Sequence, residues 1–188
     1  MRDFEDPAMP DNALKPVLAL LAALLLAACA QGQPDSATLK VDGKTMTFHD
    51  AHLVVHGVGG KHEAFSLRAS EQAPAQGSWF DIHLQLPGAM FRVGRYSAQE
   101  LSTHEERPGV GQSDSLSLQF LPEGRRKPYW SQSGKRDDVG NFVLEIISIT
   151  DTRMSARFAG PLDDIDGHVI QVSGQFSLPY ESVSQAGW

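Results

Sequence analysis

The chain has 188 residues, a formal net charge of −7 and a single cysteine. The acidic excess argues against nucleic acid and anionic membrane surfaces as general partners, because both repel negative charge. One thiol excludes a disulfide framework, so the fold must be held by its own core.

In chain order, residues 17–25 are apolar, preceded by Lys15 and Pro16 and followed by Leu26-Ala27-Ala28-Cys29. A positive charge, an apolar stretch and small residues before a cut are the parts of a secretory signal, so residues 1–28 read as a signal peptide. Asp3, Glu5, Asp6 and Asp11 leave the first stretch net acidic, and Met9 offers an alternative start with a more ordinary signal. A membrane span is the first competing reading. The run 16–30 is shorter than the roughly 20 residues a spanning helix needs, and no basic stop-transfer cluster follows. Simple secretion is the second, with Cys29 left as a spare thiol.

Leu26-Ala27-Ala28-Cys29 resembles the lipobox of bacterial lipoproteins, whose cysteine becomes the lipidated first residue of the mature protein. The resemblance implies more than one acyl chain on Cys29 and hence stable attachment, since a single chain holds only marginally. Retained inner-membrane lipoproteins often carry Asp after the cysteine. Ala30 stands there, so the resemblance implies the outer membrane, facing the periplasm or the surface. Loss of residues 1–28 would leave 160 residues at a charge of −5, about one domain.

Residues 29–37 are polar and punctuated by Gly32 and Pro34, a flexible tether behind the lipidated cysteine. From residue 38 to the end, short alternating runs separated by Gly, Pro, Asn and Asp predict a single all-β domain. Residues 39–41 and 44–48 flank Asp42-Gly43, the favoured two-residue hairpin turn. Residues 51–56 and 65–69 continue as strands. Phe80, Ile82, Leu84 and Leu86 alternate with Trp79, Asp81, His83 and Gln85, the clearest half-buried strand. Pro87-Gly88 leads into residues 90–93 and then Gly94-Arg95-Tyr96. Ser97, with Glu100 three residues on, predicts a capped short helix over 97–104. Leu116, Leu118 and Phe120 mark the next strand, and residues 125–140 are the least regular part. Strands follow over 142–149, 154–158 and 168–180, where Gly174 interrupts an apolar face and suggests a bulge or bend.

The pattern predicts an antiparallel β-sandwich or open barrel of about nine to eleven strands. Its closing layout resembles that of uncharacterised bacterial envelope lipoproteins ending on a Ser-Gly-x-Phe strand, here Ser173-Gly174-Gln175-Phe176. That resemblance covers residues 38–180 and implies no particular activity.

Three clusters carry chemistry. His49, His52, His56 and His62 lie close in sequence, and on a strand His52 and His56 share a face with Val54. They stand either as zinc or copper ligands or as polar side chains on a solvent face. Asp163, Asp164 and Asp166 before Gly167 resemble part of a calcium loop, but Leu162 stands where the pattern needs an oxygen ligand and Ser173 where it needs Glu. A hairpin turn accounts for them. Arg125, Arg126 and Lys127, followed by Tyr129-Trp130 and Lys135-Arg136, form a basic and aromatic patch. Aromatic faces stack on sugars and arginines pair with carboxylate or phosphate, so this loop is the candidate binder of an envelope glycan or protein. The competing reading is a solvated loop with Trp130 tucked beneath it.

No nucleophile elbow, metalloprotease helix or phosphate loop is present, and no cofactor is implied. The sequence therefore reads as a lipid-anchored binding or interaction module rather than an enzyme. The alternative is a carrier of a small ligand or metal.

Overall fold

A computed structural model describes residues 35–58, 61–72, 76–102, 114–131 and 141–184. Residues 1–34, which include Cys29, lie outside the described residues, as do Lys135 and Arg136. The strands are β1 (Ser36–Val41), β2 (Lys44–Phe48), β3 (Asp50–Val58), β4 (Lys61–Gln72), β5 (Gln76–Gln85) and β6 (Gly94–Ser97). A single turn and a half of helix, α1 (Ala98–Ser102), precedes β7 (Ser115–Leu121), β8 (Tyr129–Trp130), β9 (Val143–Ile149), β10 (Arg153–Asp163) and β11 (Val169–Ser184). Among the described residues, no helix is long and apolar enough to cross a membrane.

All eleven strands form one sheet in the order β2-β1-β11-β3-β4-β5-β7-β8-β10-β9-β6, and β10 also pairs with β11. The sheet therefore folds over on itself around the long β10–β11 hairpin. Residues 172–177 of β11 pair with β1, and beyond them residues 180–184 pair with β3. On the other arm of the hairpin, β9 pairs with residues 154–159 of β10, and Trp130 of β8 meets Asp163 at its end. The fold is all-β, as the alternation predicts. One ladder departs from the antiparallel expectation: β11 runs parallel to β3. No short turn joins those two strands, so nothing local forces them to run in opposite directions.

The apolar alternation fills the space between the two halves of the folded sheet. Phe48 of β2 meets Phe80 of β5 edge to face, with ring centroids 4.8 Å apart. Phe80 also contacts Phe158 of β10 at 5.7 Å, and Phe65 of β4 reaches Phe176 of β11 at 6.3 Å. Each buried phenylalanine contributes on the order of 1.5–3 kcal/mol through removal of apolar surface from water.

Local signals explain most of the element boundaries. Asp42 and Gly43 both take positive φ (47° and 86°), which the tight β1–β2 turn demands. Ser97 Oγ accepts the Glu100 N–H at 3.2 Å, the predicted cap of α1.

Residues 90–93, between β5 and β6, form a loop. Met90 and Val93 are exposed and only Phe91 is buried, so no face alternates there. Tyr96 OH closes this loop by accepting from the Arg92 N–H and donating to the Arg92 carbonyl.

Gly174 makes no bulge, since its ladders to β1 and β10 keep register on both sides. It is required for close approach: a Cβ there would sit 2.3 Å from the Thr38 carbonyl oxygen and 2.4 Å from Phe158 Cζ.

Candidate functional site

The outward faces of the sheet place the candidate residues in rows. Across β6, β9, β10, β11, β1 and β2, the directly opposed positions are Arg95, Glu145, Arg157, Gln175, Thr38 and Thr47. The neighbouring row runs through Val143, Ala159, Ser173, Lys40 and Thr45. Small side chains, Ala159 and Ser173, thus stand at the middle of the face, with Gly160 and Gly174 beside them. Long side chains stand on either flank, Arg95 and Glu145 on one side and Lys40 on the other. A groove of about 820 Å³ lies along this face.

The groove is net positive, its lining mixing polar side chains with apolar ones such as Val143, Ala159 and Pro161. Arg157 Nε donates to Glu145 Oε2 at 2.7 Å, and the pair holds the Glu145 carboxyl below the usual carboxylate range. Arg95, opposite Glu145, pulls in the same direction. One carboxylate thus faces two arginines, and Lys40 on the far flank has no ion pair among the described residues. Thr38, Thr45, Asn141, Gln171 and Gln175 add neutral donors and acceptors. In the sequence these residues are scattered over six strands and, for Asn141, the stretch just before β9. Only the ladder register brings them together, so no linear signal marks them.

The basic and aromatic loop is built differently. Arg125 Nη2 donates to Asp164 Oδ2 at 2.8 Å, and its guanidinium lies 4.4 Å over the Tyr129 ring, whose hydroxyl it also contacts. Tyr129 is 8% exposed, while Trp130 is half-buried. Of the two aromatics it is thus Tyr129, rather than Trp130, that lies under the loop. Lys127 lies 3.7 Å from Asp166, with both side chains exposed, and Arg126 is exposed.

Asp164 is the centre of this arrangement. Its Oδ1 accepts the N–H groups of Asp166 and His168, both at 2.9 Å, and its Oδ2 meets Arg125 and the His168 ring. Burial raises the cost of its charge, yet the His168 N–H, Arg125, the His168 ring and the Asp166 N–H outweigh burial. Together they hold the carboxyl far below the usual carboxylate range. The acidic run is therefore the β10–β11 turn. Asp164, Asp166 and His168 bring ligand-type atoms within 4.8 Å of one another, but both Asp164 oxygens are already engaged.

The histidines separate. His52 and His56 share the outer face of β3 as predicted, while Leu53 and Val55 are buried on the other side. His52 is exposed and its Nε2 lies 3.0 Å from Asp50 Oδ1. His49 is exposed between β2 and β3, and His62 packs near Phe91 and Tyr180, ring centroids 5.9 and 6.0 Å away.

His56 lines a separate hollow of about 320 Å³ with Glu63, Ser66 and His83. Beside it, Arg68 makes two 2.9 Å hydrogen bonds to Asp81, which is buried although it stands on the outward face. The two groups neutralise each other, and the Arg68 guanidinium lies 5.7 Å over the Trp79 ring.

No family model, curated protein or solved structure matches the chain.

Proposed function

We propose that this protein is a lipid-anchored binding module of the bacterial envelope, and that the groove across β6, β9, β10, β11, β1 and β2 holds a strand of acidic glycan. The observation that supports it is a positive, hydroxyl- and amide-lined groove on a chain whose overall charge is −7. Hydroxyl-rich polymers match rows of Thr, Ser, Gln and Asn, and carboxylates or phosphates along them match Lys40 and Arg95. The lipobox resemblance of Leu26-Ala27-Ala28-Cys29 supports attachment through Cys29, and Ala30 an outer-membrane address. Such an anchor would hold the domain beside the polymers of the envelope, where weak contacts to a repeating ligand add up.

Co-sedimentation tests the reading, with purified peptidoglycan sacculi and lipopolysaccharide as acidic probes and dextran as the neutral one. Retention on an acidic polymer, weakening with salt, is expected. Equal retention on dextran, or none on either acidic polymer, overturns the assignment. Intact-mass analysis of the native protein tests the anchor. A diacylglyceryl thioether on Cys29 is expected, and an unmodified thiol contradicts it.

A further inference from the structure

We propose that one end of the domain, marked by exposed Met90, Val93, Ile147 and Val183, rests on the lipid surface that carries the anchor. The inference rests on the reading of Cys29 as the lipidated residue and deepens it, by naming the part of the domain that meets the bilayer.

The ladders define this end. β1 begins at Ser36, opposite Ser177 of β11, and the turn from Ile149 of β9 to Arg153 of β10 lies beside it. Tyr180 ties that turn to the other arm of the sheet. Its N–H donates to the Thr152 carbonyl and its hydroxyl to the Thr150 carbonyl, while its ring meets His62 at the start of β4, centroids 6.0 Å apart. The loop 86–93 closes over the same place, since the Phe91 N–H donates to the His62 carbonyl at 3.0 Å.

Apolar exposure collects here. Among the described residues six large apolar side chains are exposed, and four of them belong to this end. Val93 precedes Gly94 and Ile147 follows Ile146, the pair that opens the β6–β9 ladder. Ile147 is also the extra residue of a bulge, lying between Ile146 opposite Ala156 and Ser148 opposite Ser155. Met90 stands on the loop, and Val183 lies opposite His56 near the end of β3. The other two, Ile165 and Val169, flank the β10–β11 turn at the opposite end. Single exposed apolar residues are ordinary, so it is their concentration at one end that calls for a partner.

The reach of the chain before β1 names that partner. Asp35, whose carboxylate contacts Arg153 at the start of β10, stands six residues after Cys29. Six residues span at most about 20 Å however they are arranged. An acylated Cys29 therefore keeps this end of the domain within that distance of the lipid. The β10–β11 turn lies the length of β10 away from it, on the order of 35 Å.

Charge sets the kind of lipid. Arg92 is exposed between Met90 and Val93, where its stem can lie along apolar surface with the guanidinium at the depth of the headgroups. Asp151 and Glu181 are exposed at the same end. The contact is therefore apolar and suited to zwitterionic lipid, with no net attraction to anionic headgroups.

The test uses the acylated protein in phosphatidylcholine vesicles, with one cysteine introduced at a time: Met90→Cys, Val93→Cys, Val183→Cys or, at the opposite end, Ile165→Cys. Acylation blocks the Cys29 thiol, so a polarity-sensitive maleimide dye reports the introduced site alone. Dyes at the first three positions are expected to shift to the blue and to lose emission to nitroxide-bearing lipid, while the dye at the fourth does neither. Circular dichroism checks each variant, and if one misfolds the others at that end decide. Absence of quenching at the first three, or quenching equal to that at the fourth, overturns the inference. A blue shift without lipid quenching points to another protein surface and overturns it as well. Intact mass separates the two failures. With a diacylglyceryl thioether on Cys29, unquenched dyes remove the docking and leave the anchor standing, whereas an unmodified thiol removes both.

Discussion

Two regions of this molecule collect positive charge, and they do opposite things with it. In the loop 125–130 the cation Arg125 is already engaged: Asp164 accepts its hydrogen bond and Tyr129 lies under its plane. In the groove, Arg95 and Lys40 stand on the two flanks of a floor made of Ala159, Ser173 and glycine, and only Arg157 is tied, to Glu145. The loop looks basic and aromatic in sequence because its residues are consecutive. The groove is invisible in sequence because its residues come from six strands. Contiguity in the chain and availability at the surface are therefore different properties, and here they point to different places.

The comparison can be broken most severely at the groove floor. Gly174→Val would drive a side chain into the Thr38 carbonyl and the Phe158 ring. A loss of about 3 kcal/mol or more is expected, at the upper end for overpacking, because one obstacle is backbone. Chemical denaturation measures it, and a near-neutral result would mean that β1 and β11 are not so close.

A smaller effect is expected from Arg125→Met, which leaves the enclosed Asp164 carboxylate without its cation. Thermal unfolding should show a drop of several degrees at neutral pH. The sign of its pH dependence follows from the depressed Asp164 pKa. Stabilisation is present above the ordinary carboxylate range and is lost as pH falls toward the depressed value. The wild-type advantage over Arg125→Met should therefore shrink on acidification, and a constant gap would contradict the enclosed pair.

The smallest effect belongs to Arg157→Gln. Its partner Glu145 is a solvent-facing carboxylate, and exposed ion pairs contribute little. The melting temperature should stay within the scatter of repeat measurements, in contrast with Arg125→Met.

Much of the fold was legible in the sequence because period-two alternation is a local property. The Asp42-Gly43 turn, the inward set Phe80, Ile82 and Leu84, and the Ser97 cap all follow from short-range rules. Strand β8 was not legible: two residues carry no period, and Tyr129-Trp130 pair only because β7 lies alongside. The parallel β11–β3 ladder was equally hidden, since no turn residue encodes it. For the histidines, spacing gave the shared face of His52 and His56 but not their partners. The Asp50 carboxylate beside His52 and the hollow that His56 shares with His83 come from the folded sheet.

The central claim is that the groove, and not the basic loop, is the surface that meets an acidic polymer. It is tested most directly by comparing two charge reversals in the same sacculus and lipopolysaccharide co-sedimentation. One variant carries Lys40→Glu with Arg95→Glu, and the other Arg126→Glu with Lys127→Glu. All four side chains are exposed, so both proteins should fold and the overall charge changes equally. The groove variant is expected to lose retention at least tenfold while the loop variant keeps it. Loss confined to the loop variant, or equal loss in both, would contradict the account.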